Sequence, residues 1–322
     1  MKSPNKQLLA FIISLTISGY TSLCLAGSAY ITNQGDNTVS VIDTKTNQVI
    51  STIKVGLKPV GVAVSATNHR AYISNVDGQS ISVINTSKNK LINTYPIKGS
   101  PVGLVISPDN KTLYVADWTD DRIYVLDAIT LKVQAEIKDG KAPAGMVMSP
   151  DGKKLYIANR DTNDVAIIDT NTRQISSRIV VGKHPFGLAL SKNGNELYVV
   201  NVISNTVSVV NTTSFKSESI HVGDHPYCVT PSKDGLFLFV TNTQDDSVSV
   251  IELAKKQSIA TIKVGEVPEG ISTDELTGNI YVANWASNQV SVIDGNTQKL
   301  ITQIKSGDKS RAFGQFILHT NP

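Results

Sequence analysis

The aromatic residue of a recurring segment, small or leucine, then tyrosine, hydrophobic, any residue and asparagine, falls at Tyr30, Tyr72, Tyr114, Tyr156, Tyr198, Phe239 and Tyr281. The spacings are 42, 42, 42, 42, 41 and 42 residues. A unit of this length cannot bury its own apolar face, so copies must stack, and a period in the forties is that of a four-stranded blade. Seven units predict an all-β, seven-bladed β-propeller of four-stranded antiparallel blades. A chain of 322 residues would otherwise suggest two domains, but the repeat makes residues 27–322 a single one.

One unit shows how the strands are written. Residues 144–148 are a short apolar strand, followed by the turn Ser149-Pro150-Asp151-Gly152, where proline presets φ and glycine supplies a positive one. Residues 155–158, 165–168 and 175–181 are the second, third and fourth strands. The first three are apolar on both faces, as strands between neighbouring blades must be, whereas the fourth alternates with serine and arginine and suits an outer edge. The third strand recurs in β-branched form at Val39, Ile81, Ile123, Val165, Val207, Val248 and Val290. The first strand is introduced by Pro59, Pro101, Pro143, Pro185, Pro226 and Pro268, with Ser310 in the seventh place. Two residues on stand Gly61, Gly103, Gly145, Gly187, Cys228, Gly270 and Ala312, small enough for backbones to approach around a narrow channel. The frame opens on a second strand and closes on a first strand, residues 312–318. The C-terminal strand is therefore expected to pair with the N-terminal repeat and remove both free edges.

Residues before the first repeat are of another kind. Lys2 and Lys6 precede an apolar run, residues 8–17, and a polar stretch ending Cys24-Leu25-Ala26. This reads as a signal peptide over residues 1–26, cleaved after Ala26, because small residues stand one and three positions before that bond. The run is too short to span a bilayer comfortably. A periplasmic or secreted protein is expected, with no transmembrane segment once the leader is gone. Leader removal takes away Lys2 and Lys6 and no acid, lowering the formal net charge from +3 to +1, so no bulk field steers the chain to polyanions. Cys228 is then the sole cysteine and no internal disulfide can form.

The segments LYVAD, LYIAN, LYVVN, LFVTN and IYVAN, each followed by a VSVID-like strand and by VG-x-x-P-x-G, resemble the YVTN-type β-propeller repeats of exported bacterial and archaeal proteins. The resemblance covers the mature chain. It implies a seven-bladed ring, export, and roles in binding or at the cell surface, and it supplies no family-wide catalytic residues.

Agreement among units marks scaffold. Asn33, Asn75, Asp117, Asn159, Asn201, Asn242 and Asn284 end the second strand, where a short amide or carboxylate can bond to loop backbone groups. Asp43, Asn85, Asp127, Asp169, Asn211 and Asp294 close the third strand similarly, with Glu252 as a local turn variant. Disagreement marks candidate function. Around the prolines, consecutive units carry His184 and Phe186, then His225 and Tyr227, then Glu269, then Lys309 and Arg311. Earlier units carry Lys58 and Val60, Ser100 and Val102, Ala142 and Ala144 at those places. After the strand-ending Asn or Asp come Trp118, Arg160 and Trp285, the first and last being the chain's two tryptophans. These nine residues, His184, Phe186, His225, Tyr227, Glu269, Trp285, Arg311, Trp118 and Arg160, define a candidate ligand pocket at the channel mouth on the top face. His184 and His225 occupy equivalent sites in adjacent units, but two ligands do not make a metal site, and neither metal nor cofactor is expected.

G-x-S-x-G, H-E-x-x-H, C-x-x-C and glycine-rich phosphate loops are missing. The reading is an exported, non-enzymatic binding or scaffold protein whose top face takes a protein, glycan or small ligand. A propeller lactonase- or lyase-type enzyme with a channel-mouth site is the main alternative, and it requires Glu269 with the two histidines. Single-stranded nucleic acid stacking on Trp118 and Trp285 beside Arg160 and Arg311 is a further one, opposed by the near-neutral charge. A haem-bearing propeller is disfavoured by the lack of a C-x-x-C-H segment.

Overall fold

The computed structural model describes residues 27–138 and 140–319. The expected leader, residues 1–26, and its cleavage point lie outside the described residues. What is described is a ring of seven sheets, each with four antiparallel strands that run from innermost to outermost in chain order, except in the first, whose innermost strand comes from the C-terminal segment. In the fourth blade the strands are Pro143–Met148, Lys154–Asn159, Asp164–Asp169 and Gln174–Val180, within a residue or so of the positions read from the repeat. Innermost strands run from the proline on the upper face to the Ser-x-Asp-Gly turns on the lower face. Second strands return upward.

Burial follows strand position. The third strand of the fourth blade is buried at its four central residues, while Gln174–Val180 alternates between exposed and covered residues, with Ile179 alone buried. Six apolar clusters fill the gaps between blades, and the repeat tyrosines Tyr30, Tyr72, Tyr156, Tyr198 and Tyr281 are among the largest fully buried side chains. Each buried side chain of that size is worth roughly 1.5–3 kcal/mol, so the inter-blade seams hold the ring together.

The ends close as expected, with one difference. Residues 308–319 run along the second strand of the first blade, residues 27–33: Asn33 bridges Ser310, the Tyr30 amide donates to the Phe316 carbonyl, and Ile317–His319 pairs antiparallel with residues 27–29. Residues 312–318 do not form one strand, however. Phe313–Gln315 leaves this blade and adds to the second one, parallel to residues 61–63. Ala312 at φ 70° and Gly314 at φ 107° make that excursion, and glycine is the residue that tolerates the second value without strain.

The excursion exaggerates a feature of every innermost strand. Pairing is lost between the proline and the residue three places on, as between Pro143 and Met146, so the two residues after each proline bulge out of the ladder. A bulge re-aims side chains. Here it turns the first of the two toward the channel axis and brings the second, the small residue, against the next blade. A Cβ added at Gly61 would collide with the Val102 carbonyl, at Gly103 with that of Ala144 and at Gly145 with that of Phe186. The expected close approach of backbones is what these glycines permit.

The strand-ending residues meet the expectation in part, since Asn33 accepts from the Gly307 amide and Asp117 from those of Ser100, Thr119 and Asp120, but most of the asparagines turn elsewhere. They are fully buried, and their Nδ2 groups donate mainly to hydroxyls on the third strand: Asn75 to Ser82, Asn201 to Ser208, Asn242 to Ser249, and Asn284 to Ser291. An amide carries donors, and the nearest acceptors are these serines rather than loop backbone.

Candidate functional site at the channel mouth

The bulges carry Val60, Val102, Ala144, Phe186, Tyr227, Glu269 and Arg311, one per blade with Arg311 from the closing segment, to the upper end of the channel. Val60, Val102, Ala144 and Phe186 join one apolar cluster with Cys228 and Phe313, and Trp118 and Tyr227 pack against it. Phe186 is the hub. Its ring centroid lies 4.1 Å from that of Tyr227, 4.9 Å from Phe313 and 5.7 Å from Trp118, all tilted. Offset and tilted contacts of this kind suit the aromatic quadrupole and rigidify the group.

Polar chemistry completes the ring. Arg311 is ion-paired with Glu269, and its Nη2 donates to the Tyr227 hydroxyl at 2.7 Å. The Arg311 and Glu269 side chains are only 19 % and 12 % exposed, so neither charge is well solvated without the other. Burial pushes the Glu269 carboxyl above its ordinary range, and Arg311 pulls against that shift. Burial lifts the Tyr227 phenol, with the Glu269 charge adding to the effect while Arg311 opposes it. Burial alone would lower the Arg311 guanidinium, but Glu269 and Tyr227 hold it above its usual value. The three groups act as one buried unit.

Outside this inner ring lies a second layer. The residue after each strand-ending Asn or Asp donates its amide to the carbonyl of the residue before the proline: Trp118 to Ser100, Arg160 to Ala142, Val202 to His184, Thr243 to His225, Trp285 to Val267. The two sets of variable positions picked from the sequence are therefore neighbours on the upper face. Arg160 stands with its guanidinium 4.7 Å from the Trp118 ring centroid and is anchored by Asp161 at 2.6 Å. Trp118, Arg160, Phe186, Tyr227, Glu269 and Arg311 thus form one connected patch.

The other three expected residues stand apart from it. Trp285 belongs to the closure seam, with its Nε1 donating to Gln34 at 3.2 Å and Lys309 Nζ 4.9 Å from its ring. His184 and His225 adopt φ of 52° and 49°, and their amides donate to Asn163 and Asn205. Lys58, Ala142, Val267 and Lys309 take the same backbone conformation at the same place, so the turn does not demand an imidazole. The His225 ring faces Asp224 at 3.1 Å. Among the described residues no three His, Cys, Asp or Glu side chains converge as a metal-holding group.

Phe313 follows the small residue as Met146 and Leu188 do, so the repeat gives no sign of its role, and it reaches the cluster only through the parallel excursion. The sequence likewise hid that Val60, Val102 and Ala144 face the same axis as Phe186. Their common place after the proline was the signal that could have shown it. Cys228 is buried at the small-residue position beneath the cluster, and burial pushes its thiol well up, which makes it a poor nucleophile.

Residues 128–218, which take in parts of three consecutive blades, match the family model described as Lactonase, 7-bladed beta-propeller. A stretch of 39 residues is 62 % identical to a PE-PGRS family protein of Mycobacterium tuberculosis; it covers 12 % of this chain and 8 % of that protein's length. Among solved structures, the hydrazine synthase of Kuenenia stuttgartiensis is similar at a TM-score of 0.75 and 21 % identity, over 82 % of this chain and 91 % of that one. A functionally unknown protein from Desulfotomaculum acetoxidans gives 0.78 and 15 %, over 92 % and 99 %. The dihydro-heme d1 dehydrogenase NirN in complex with DHE gives 0.69 and 12 %, over 88 % and 74 %. At these identities the likeness is one of fold.

Proposed function

We propose that the protein is an exported binding propeller that takes a ring-bearing ligand, a glycan or a small aromatic molecule, on the upper channel mouth. The observation that carries this is the aromatic run Trp118, Phe186 and Tyr227 with Arg160 over the indole. The three earlier units place Val60, Val102 and Ala144 at the positions of Phe186 and Tyr227, and the later two place Glu269 and Arg311. An aromatic surface with a fixed guanidinium beside it offers stacking and a charged hydrogen-bond donor to a planar or sugar ring. The YVTN-type repeat pattern supports a binding role, and with the leader it supports an extracytoplasmic address, with a mature N-terminus at Gly27 that Edman sequencing of exported material would read.

A titration of Trp285→Phe protein leaves Trp118 as the only indole and reports occupancy at the mouth by fluorescence. Hits from a glycan and aromatic-ligand panel should be lost at least roughly tenfold, about 1.4 kcal/mol, in Trp118→Ala and Arg160→Ala. Hits that bind both variants as they bind the parent would sink the proposal.

A second reading, a lactonase-type hydrolase, draws support from the family match over residues 128–218. That stretch contributes His184 and Phe186 to the upper face. Lactone turnover abolished by Glu269→Gln in a protein that still melts as the parent does would favour it over the binding reading.

A further inference from the structure

The aromatic cluster closes the channel at the top only. Below it lies a cavity of about 590 Å³ that opens on the lower face between the Ser-x-Asp-Gly turns. That volume falls within the roughly 300–1,000 Å³ of small-molecule sites. Its ceiling is Phe313, and its depth along the fifth blade, from Gly187 to Ser191, is four residue steps, roughly 13 Å.

The cavity is not symmetric. The third, fourth and fifth blades contribute Ile106, Met146, Leu188 and Leu190, apolar side chains left only partly covered by their own blades. On the opposite wall the hydroxyls of Thr230 and Thr273 bond to each other at 2.9 Å, and Thr273 also donates to the Pro231 carbonyl at 2.6 Å. These two hydroxyls are satisfied by protein partners, which leaves Gln315 as the polar side chain above the turns, so most of the interior asks for apolar surface rather than for hydrogen bonds. The charged residues that line the cavity, Lys192, Lys233 and Glu275, all stand at the lower mouth. Two are cationic. Lys192 lies 3.6 Å from Glu275 and is 82 % exposed, while Lys233 donates to the Leu276 carbonyl.

We infer that the lower channel is a second binding site, distinct from the upper mouth, for a long-chain carboxylate whose alkyl tail rises toward Phe313 and whose headgroup stays beside Lys192 and Lys233. The apolar wall accepts the tail, because burying methylene groups against half-covered Ile, Met and Leu removes both surfaces from water. The dead end at Phe313 limits the length. Among the charged residues that line the cavity two lysines stand against Glu275, and this local excess favours an anionic over a cationic head.

The test uses octanoate, decanoate, dodecanoate and dodecylamine as probes, titrated calorimetrically into the mature protein. Dodecanoate should bind with a stoichiometry of one, tighter than octanoate by roughly three- to fourfold per added methylene. Dodecylamine should bind more weakly. Leu188→Gln and Met146→Gln, on different blades, should each weaken dodecanoate at least roughly tenfold, whereas Trp118→Ala should leave it unchanged. Lys192→Glu with Lys233→Glu, both at exposed positions, should reverse the order of dodecanoate and dodecylamine even if a cavity variant fails to fold. Absence of dodecanoate binding, a stoichiometry above one, affinity independent of chain length, or an unchanged headgroup order in the lysine double variant would overturn the assignment.

Discussion

Asp117 shows how closely single positions are matched to their neighbours. Elsewhere the second strand ends in asparagine, and where a serine stands seven residues on, the amide donates to it. In the third blade that serine is replaced by Tyr124, and the strand ends in a carboxylate that accepts instead, from the amides of Ser100, Thr119 and Asp120. In the fourth blade the serine is Ala166, and Asn159 donates to Asp164. Donor and acceptor change together because a buried polar group without a partner costs about 1–3 kcal/mol. The glycine after the proline is held just as tightly. Gly103→Ala forces a methyl group into the Ala144 carbonyl and should destabilise by about 1–3 kcal/mol, read as a fall in denaturant midpoint. At the equivalent place the chain already carries the Cys228 side chain, buried in the cluster at the channel, so Cys228→Gly creates no clash and should cost less. Equal losses for the two variants would refute the backbone-approach argument.

Among the elements, the closing segment carries the most. It completes the first blade, extends the second, supplies Arg311 and Phe313 to the upper mouth, and buries Phe316 completely in the cluster around Tyr30 and Tyr281. His319 further ties it to the seventh blade through the buried Asp274 carboxylate at 3.0 Å. Phe316→Ala should cost about 3–5 kcal/mol by leaving a cavity in that cluster. Removing residues 310–322 should do more. It exposes the edge of residues 27–33 and opens the ring, giving a chain that is poorly folded or oligomeric by size-exclusion chromatography. A truncated monomer that melts with the parent would show that the clasp is dispensable.

At the scale of the whole molecule, the turns on the lower face set the response to acid. Asp109, Asp151 and Asp234 are held below the usual carboxylate range by hydroxyl donors from Ser107, Ser149 and Ser232 together with turn amides. Asp127, Asp169 and Asp294 are held down chiefly by the amides of Thr130, Thr172 and Thr297. A carboxylate depressed on folding contributes stability that is fully present above its unfolded value, about 3.9, and is lost as pH falls through its folded value. Glu269, raised by burial, works in the opposite direction, but it is one group against the repeated turns. The melting temperature should therefore hold from pH 7 to about 4.5 and fall steadily below about 4. A melting temperature that held or rose between about pH 4 and 2.5 would contradict this account. The same ring has two unlike ends to its channel, an aromatic and ion-paired lid above and an apolar cavity below.

The number of blades, the strand order, the turns and the outer edge were legible along the chain because each depends on local chemistry repeated at one period: β-branched strands, Pro and Gly at the turn, Asp or Asn closing the third strand. The contrast between Val60, Val102 and Ala144 and the later Phe186, Tyr227, Glu269 and Arg311 was legible too, as departure from that period. What these residues face was decided only by closure. The bulge after each proline turns seven side chains onto one axis, so residues some 42 positions apart become neighbours there, and Arg311 meets Glu269 and Tyr227 only once the last strand has met the first. Trp285 illustrates the converse, since its place in the repeat matches that of Trp118, yet its surroundings are Gln34 and Lys309 at the seam. Period is a property of the sequence. Convergence is a property of the closed ring, because contact between distant residues depends on the path of the backbone between them.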